Sequence, residues 1–125
     1  MLFRSQAKEN GAGFIVFSPL AQGLLTDRYL NGIPEDSRIA HGGHLKKEAL
    51  TEKRLQQIKA LNEIALRRGQ TLAEMALAWI LKDEYVTSVI IGSSSVNQLE
   101  KNLKALDSAP FSAEELEEME SICNK

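Results

Sequence analysis

A glycine followed by three serines is the feature of this 125-residue sequence that could bind a charged ligand. Gly92-Ser93-Ser94-Ser95 follows a short apolar run and precedes a helical pattern. The start of a helix presents unpaired N–H groups and a partial positive charge, and glycine lets an anion approach the backbone closely. The loop therefore suits a phosphate, although serines that only cap the helix and turn the chain explain the same residues.

Three further positions add to this candidate site. Ser18-Pro19-Leu20 ends another apolar run in the equivalent place, and Arg28 and Arg38 follow in a long polar loop. Arginine on a loop suits bidentate phosphate binding, whereas the neighbouring Asp27 and Asp36 offer only surface ion pairs of little energetic value. In barrels of parallel strands, the C-terminal ends of the last two strands commonly form a phosphate site. We therefore expect these segments to bind phosphate together, with Arg38 favoured over Arg28.

The remaining reactive side chains indicate less. His41-Gly42-Gly43-His44 lacks a third ligand and a rigid frame, so we predict no metal site there. Ser18 has no G-x-S-x-G turn around it, which argues against a nucleophilic triad. Cys123 is the single cysteine and can form no internal disulfide, which is typical of a reducing compartment.

Composition limits the partners. The chain carries 15 Lys and Arg against 17 Asp and Glu, a net charge of −2, so no net basic field attracts nucleic acid or an anionic membrane. The longest apolar run, Met75–Leu81, is about a third of the roughly 20 residues that span a bilayer, and no signal-peptide pattern precedes it. We expect a soluble, cytoplasmic protein without a nucleic-acid or membrane partner.

The elements that must position the candidate residues alternate between strand and helix. Phe14–Phe17 and Val86–Ile91 are continuous apolar runs, which predicts parallel strands buried on both faces. Helical spacing and capping signals predict five helices: the end of a polar one at Ser5–Asn10, one from its cap Thr51 to Arg68, one opened by Thr71–Glu74, one opened by the capping box Ser95–Gln98 and running through Leu99, Leu103 and Leu106, and one opened by Ser112–Glu115.

This order of elements predicts an α/β fold with a parallel sheet between helices. Trp79 is expected in the core, and Leu116, Met119 and Ile122 are expected on the inner face of the last helix. A parallel pair of strands has both edges open and cannot cover these helices, so further strands must come from elsewhere.

Several motifs occur in the order found in one known family. They are Phe14-Ile15-Val16-Phe17-Ser18-Pro19-Leu20-Ala21-Gln22-Gly23-Leu24-Leu25-Thr26, the Tyr29–Pro34 stretch, Ser37-Arg38, and Ile91-Gly92-Ser93-Ser94-Ser95 followed by Gln98-Leu99 and Asn102. From about Gly11 to Cys123 the chain resembles the C-terminal part of an aldo-keto reductase. Within that family it looks most like the branch of bacterial glyceraldehyde-3-phosphate reductases and potassium-channel β subunits.

The resemblance implies a fold and a cofactor. The fold is the TIM-type (β/α)8 barrel, of which this chain would be the C-terminal portion, strands 7 and 8 with their helices. The cofactor is NADPH or NADP, bound in extended form, and the reaction is the reduction of an aldehyde or ketone without a metal. Residues 1–125 would then be one partial domain, the cofactor-binding end, with no second domain.

Cofactor contacts are carried over from the resemblance position by position. It assigns Phe17 to the nicotinamide, Ser18, Leu20 and Arg28 to the pyrophosphate, and Arg38, Gly92, Ser94, Gln98 and Asn102 to the adenosine and its 2′-phosphate, with Pro19, Ala21 and Gln22 completing the set. Two positions depart from the family pattern. Arg28 replaces a more usual lysine and keeps the charge, whereas Lys101 stands where an acid would accept from the adenine amine, which a lysine cannot do.

Catalytic residues are the main departure. The family's Asp, Tyr, Lys and His lie on earlier strands, and neither Tyr29 nor Tyr85 sits in the corresponding motif. A hydride reaching a carbonyl carbon leaves an alkoxide that needs a positioned acid. We therefore expect no catalytic residue in this chain, no activity of the chain alone, and a small carbonyl substrate only in a complete protein.

Two alternatives of a different class remain open. The chain could be a non-enzymatic piece that completes a barrel by self-association or by pairing with a separate N-terminal fragment, as the open strand edges suggest. It could also be a plain anion-binding module built on the serine loop and the arginines.

Overall fold

The computed structural model describes residues 2–35, 40, 42, 48 and 50–125 of the chain. Its helices and strands, in order, are α1 (Leu2–Glu9), β1 (Ile15–Phe17), α2 (Glu52–Arg67), α3 (Leu72–Leu81), β2 (Ser88–Ile90), α4 (Val96–Leu103) and α5 (Ala113–Cys123), with short 3₁₀ turns at Ala21–Gly23, Asp27–Tyr29 and Lys104–Asp107. The predicted order of strands and helices is confirmed. Among the described residues, no helix is both long and apolar enough to cross a membrane.

These elements form two compact units. The sheet unit comprises Met1–Pro19 and Glu74–Pro110, and the helical unit comprises Leu20–Ala73 and Phe111–Lys125. The first contains both strands with α1 and α4, and the second contains α2 and α5.

A parallel pair of strands organises the sheet unit. β1 and β2 pair in parallel, with Ile15 opposite Ser88 and Phe17 opposite Ile90. Thr87 extends the pairing backward, because its N–H donates to the Phe14 carbonyl at 2.8 Å and its hydroxyl accepts from the Phe14 N–H at 2.9 Å. Both strands therefore end at the same edge, so the segments after Phe17 and after Ile90 leave the sheet side by side.

The predicted burial of the strands on both faces is wrong. Phe17 is 77% exposed and Ile90 is 55% exposed, while Val16 and Val89, on the alternate positions, are half-buried. A continuous apolar run predicts burial only where other layers cover both faces, and this sheet has two strands in the described residues. Trp79, predicted in the core, is also 46% exposed, and its ring lies under the Lys82 ammonium at 4.6 Å.

In the helical unit the predicted elements and their buried faces are confirmed. Thr51 caps α2 by accepting from the Arg54 N–H at 3.1 Å. Ile58, Ile64 and Ala65 are buried, with Ile58 and Ala65 two helical turns apart on one face. Gly69 follows the helix with φ +69°, a conformation that glycine adopts without strain. Helix α2 thus follows from its cap, its apolar spacing and its terminal glycine.

Helix α5 packs against α2 and is linked to it by polar contacts. Ser112 and Glu115 form the predicted capping box at its start, and Met119 is buried on its inner face. The Glu115 carboxylate also accepts from the Arg68 guanidinium at 2.6 Å, and Gln57 Nε2 donates to the Ile122 carbonyl at 2.9 Å. These contacts fix the pairing of the two helices within this unit.

Candidate functional site

The backbone is strained directly after β1. Ser18 has φ +51°, Ala21 φ +49° and Gln22 φ +58°, all in the left-handed region that side chains with a Cβ rarely adopt. Such conformations cost about 1–3 kcal/mol each and cluster at functional sites. These three residues belong to the predicted cofactor-binding set, and the sequence contained no signal for their conformation.

The turns that follow are held by local hydrogen bonds in the helical unit. The Gly23 N–H donates to the Leu20 carbonyl at 3.0 Å, and the Thr26 hydroxyl donates to the Gly23 carbonyl at 2.6 Å. The same hydroxyl accepts from the Arg28 N–H at 3.2 Å, beginning the turn that buries Tyr29. Arg28 therefore stands exposed on an ordered turn. This region begins the predicted long loop and contains the two short 3₁₀ turns at Ala21–Gly23 and Asp27–Tyr29.

The serine loop after β2 folds back on itself through Gln98. The side-chain oxygen of Gln98 accepts from the Ser94 N–H at 2.7 Å and lies 3.1 Å from the Ser94 hydroxyl. The Ser93 hydroxyl lies 2.7 Å from the Ser95 carbonyl and 3.3 Å from the same Gln98 oxygen. The neutral Gln98 oxygen thus lies where an oxygen of an anionic ligand could accept hydrogen bonds from the same N–H and hydroxyl groups.

Ser95 caps α4 as predicted, but the reciprocal contact differs. The Ser95 hydroxyl accepts from the Gln98 N–H at 3.1 Å. A capping box would direct the Gln98 side chain to the Ser95 N–H, whereas it reaches one residue further, to Ser94. The capping-box prediction is wrong in this half, because Ser94 offers a backbone and a hydroxyl donor that converge on one acceptor. A side chain at Gly92 would meet no atom within 4 Å, so the space beside this loop is open.

Asn102 is the second unusual feature of α4. Its residue is 6% exposed, and its side-chain Nδ2 has no hydrogen-bond partner. Asn102 lies four residues after Gln98, which makes the two neighbours on the helix surface, and helical side chains lean toward the helix N-terminus. An unpaired buried donor of this kind costs about 1–3 kcal/mol. A ligand acceptor that reached this amide would remove the cost.

The parallel register brings part of the predicted set to one edge. Phe17 ends β1, Ser18 and Pro19 follow it, and Gly92, Ser94, Gln98 and Asn102 come after β2, all in the sheet unit. Leu20, Ala21, Gln22 and Arg28 belong to the helical unit. Arg38, together with the histidines of His41-Gly42-Gly43-His44, lies outside the described residues. Among the residues that the structure describes, no group of three His, Cys, Asp or Glu side chains could hold a metal ion.

Sequence reasoning missed two contributions to this edge. Ser93 entered only as part of the serine loop, yet its hydroxyl lies next to the Gln98 oxygen. Thr87 is one residue of the predicted strand Val86–Ile91, and it fixes the start of β2 against β1. Neither role has a local sequence signal. The role of Ser93 depends on the conformation of the Gln98 side chain, and that of Thr87 depends on its pairing with the distant Phe14.

Comparison with known proteins matches the family resemblance. The aldo/keto reductase family model matches residues 2–124. The chain is 53% identical over 117 residues to an L-glyceraldehyde 3-phosphate reductase of Escherichia coli O157:H7 and 51% identical over 117 residues to the protein of that name from Escherichia coli strain K12, each alignment covering 90% of this chain and 34% of the relative. It is 40% identical over 104 residues to a probable voltage-gated potassium channel subunit beta of Oryza sativa subsp. japonica, which covers 81% of this chain and 32% of that protein.

The chain thus spans about a third of the length of the curated relatives it matches. The family model nevertheless matches nearly all residues of this chain, from α1 through the end of α5, including both loops described above. On this evidence the chain belongs to the aldo/keto reductase family.

Proposed function

We propose that this chain is the NADPH-binding end of an aldo-keto reductase. The observation that carries the proposal is the Asn102 amide, which is buried and has no partner. Asn102 lies one turn after Gln98 on α4, and the side-chain oxygen of Gln98 is where the Ser94 N–H and hydroxyl converge. A buried donor without an acceptor is costly, and an adenosine offers ring and sugar acceptors of the required kind. The residues present therefore fit a dinucleotide.

Each part of the chain has a separate task in this proposal. The Ser94 N–H and hydroxyl, released from Gln98, donate to phosphate oxygen, and Asn102 donates to the adenosine. The family resemblance assigns Ser18, Leu20 and Arg28 to the pyrophosphate, and Ser18 has the strained backbone φ of +51°. Phe17, exposed at the end of β1, offers an apolar surface for the nicotinamide. NADPH, when bound, supplies a hydride to a carbonyl carbon.

The same proposal assigns the fold. The two parallel strands are the seventh and eighth of a (β/α)8 barrel, and residues 1–125 form one partial domain of it in the cytoplasm. The family's catalytic Asp, Tyr, Lys and His have no counterpart in these 125 residues. The chain alone therefore binds the cofactor without reducing a carbonyl, because no side chain is positioned to protonate the alkoxide.

A fluorescence titration with NADPH tests the binding. Asn102→Leu keeps the approximate shape and removes the donor, and Asn97→Leu, an exposed asparagine on the same helix, is the matched control. We expect Asn102→Leu to weaken NADPH binding about tenfold or more and Asn97→Leu to leave it unchanged. Equal affinities in all three proteins would contradict the assignment of Asn102. A plain anion-binding module would show no preference between NADPH and NADH.

Turnover is tested separately with NADPH and a panel of aldehydes. The expected result is no carbonyl reduction by the purified 125-residue chain, since the proton donor is missing. Robust NADPH-dependent reduction would contradict this part of the proposal and leave the binding result standing.

A second candidate function is completion of a barrel. It is favoured by the exposed apolar surface of the sheet unit. On the strands this surface consists of Ile15, Phe17 and Ile90. On α4 and the turn after it lie Val96, Leu99, Leu103 and Leu106, and these four residues are called the α4 stripe. We propose that the natural cover is a segment carrying earlier strands of the same barrel, as the threefold greater length of the relatives suggests. The chain alone should then self-associate through this surface. A strictly monomeric mass in solution, together with cooperative unfolding, would argue against this candidate.

A further inference from the structure

Two asparagines of this chain are followed directly by glycine, in the pairs Asn10-Gly11 and Asn31-Gly32. In such a pair the backbone nitrogen of the glycine can attack the side-chain carbonyl carbon of the asparagine, because glycine has no side chain to obstruct the approach. The attack requires that the glycine N–H leaves its hydrogen bond and that the asparagine amide turns toward it. The hydrogen bonds of each pair therefore decide how readily it reacts.

The pair at positions 10 and 11 is held at the end of α1. The Asn10 side-chain Nδ2 donates to the Gln6 carbonyl at 2.8 Å, and the Gly11 N–H donates to the Lys8 carbonyl at 3.0 Å. Gly11 has φ +67°, the left-handed conformation that commonly ends a helix. Attack within this pair would break both hydrogen bonds and the helix end that they form.

The pair at positions 31 and 32 lacks these restraints. Asn31 is exposed, and its side chain makes no hydrogen bond to any residue that the structure describes. The Gly32 N–H donates to the Tyr29 carbonyl at 3.3 Å, which is longer than the usual N–H···O distance. A side chain built on either glycine, Gly11 or Gly32, would meet no atom within 4 Å, so hydrogen bonding and not crowding distinguishes the two pairs.

We propose that Asn31 is a site of spontaneous deamidation and that the end of α1 protects Asn10 from the same reaction. The Gly32 nitrogen bonds to the Asn31 Cγ, the Cγ–Nδ2 bond breaks, and Nδ2 leaves as ammonia with the proton of the Gly32 N–H. Water then adds across one of the two carbonyl–nitrogen bonds of the resulting five-membered ring. Opening at Cγ gives aspartate, and opening at the main-chain carbonyl gives its β-linked isomer.

Either product places a carboxylate near Arg28. Arg28 is exposed on the 3₁₀ turn Asp27–Tyr29, and residues three apart in such a turn lie above one another. A carboxylate at position 31 can therefore pair with the guanidinium and compete with a phosphate for it. This consequence rests on the proposed function, whereas the deamidation itself does not.

Peptide mapping of the aged full chain by mass spectrometry tests the site. Trypsin cleaves after Lys8, Arg28 and Arg38, so the two asparagines fall in different peptides. After incubation at mildly alkaline pH we expect Asn31 to convert about tenfold or more faster than Asn10, because two hydrogen bonds restrain the Asn10 pair. In the same chain unfolded in urea the two asparagines should convert at similar rates. Asn31→Gln should remove the fast conversion, since its longer side chain forms the ring less readily.

Two results would overturn the proposal. One is an equal rate for both asparagines in the folded chain, and the other is conversion of Asn31 only after unfolding. The effect on the cofactor is measured with Asn31→Asp and with the control Asn10→Asp, which makes the same change in charge at the other pair.

Asn31→Asp should weaken NADPH binding about threefold, and Asn10→Asp should leave it unchanged. Equal affinities of the two variants would contradict the competition for Arg28. A chain that binds no NADPH would contradict the proposed function, while the mapped conversion of Asn31 would still stand.

Discussion

The two units of this chain differ in how far they bury their large apolar side chains. In the helical unit, α2 and α5 bury Ile64 and Met119, and Arg68 after α2 pairs with Glu115 of α5. In the sheet unit, Phe17, Ile90 and the α4 stripe remain exposed, although they are the kind of side chain that forms a core. The helical unit therefore buries apolar side chains between its helices, whereas the sheet unit leaves a larger set of them exposed.

The difference also separates stability from ligand binding. The helical unit has caps, a partly buried ion pair and matched apolar faces, all of which favour folding. The sheet unit has a strained residue at Ser18, an unpaired buried amide at Asn102 and an uncovered sheet, all of which cost free energy. The helical unit shares only the backbone strain, at Ala21 and Gln22, so the unpaired amide and the uncovered sheet are what set the sheet unit apart.

Removing one isoleucine from each unit gives the largest expected contrast. Ile64 is 1% exposed on α2, so Ile64→Ala should lower the free energy of unfolding by about 3 kcal/mol through lost burial and the cavity left behind. Ile90→Ala makes the same chemical change at an exposed strand position and should cost less than about 1 kcal/mol. Urea unfolding of the three proteins measures both values. Similar losses in the two variants would mean that Ile90 is as well packed as Ile64, and the contrast between the units would fail.

The two neighbouring arginines of the helical unit give the next effect. Arg68, whose side chain is 6% exposed, bonds the Glu115 carboxylate and stacks over the Phe111 ring at 4.0 Å, whereas Arg67, 61% exposed, pairs with Glu118 at the surface. Arg68→Met should cost about 2 kcal/mol because Glu115 then loses a partly buried partner. Arg67→Met should cost less than about 1 kcal/mol, since solvent screens the exposed pair. Equal costs, measured in the same urea experiment, would show that burial does not distinguish the two pairs.

The α4 stripe should matter for association and little for stability. Leu99→Gln with Leu103→Gln should change the free energy of unfolding by about 0.5 kcal/mol or less, because both leucines are already exposed. It should also reduce self-association in sedimentation velocity runs, because it breaks the exposed apolar surface. Leu66→Gln, a lone exposed leucine on α2, is the control and should not change association. A large loss of stability in the double variant would show that the stripe is packed in solution.

The smallest expected effect is a dependence of the fold's stability on pH, through Lys8 of α1. The hydrogen bond between the Lys8 ammonium and Glu84, at 2.7 Å, raises the pKa of Lys8 above its usual value, and the nearby charges act in the same direction. A raised native pKa stabilises the fold at pH values below the usual lysine pKa of about 10.4, and that contribution is lost as the pH rises through the higher native pKa.

Melting temperatures of the unaltered chain and Lys8→Met between pH 9 and 12 isolate this contribution. The two curves should differ slightly at pH 9 and converge at the alkaline end. Curves that stay parallel over the whole range would show that the pairing with Glu84 does not affect folding.

Local sequence signals predicted the elements well and the exposure of their side chains less well. Thr51, Ser95 and Ser112 were predicted as caps and are caps, because a cap depends on residues within one turn. The burial of Phe17 and Trp79 was predicted wrongly, because burial depends on other helices or strands packing over these side chains. A strand sequence suited to a covered sheet carries no information about whether the cover is present.

The candidate site shows the same division. The helix start after the serine loop and the parallel placement of the two loops followed from the sequence, since both rest on local patterns and on the α/β class. The reach of Gln98 to Ser94 and the unpaired amide of Asn102 did not, because each depends on which partner a long or buried side chain finds in three dimensions. The individual cofactor contacts came from the family resemblance and stay predictions.

The free energy of unfolding of the unaltered chain and of Asn102→Leu, measured without and with NADPH, tests the central claim most directly. Without NADPH the variant should be the more stable protein by about 1 kcal/mol, because a leucine replaces an unpaired buried donor. At 100 times its dissociation constant, NADPH should stabilise the unaltered chain by about 2.7 kcal/mol and the variant by much less, so the order reverses. A variant that is less stable without NADPH, or an equal gain in both proteins, would contradict the claim that Asn102 is kept for the cofactor.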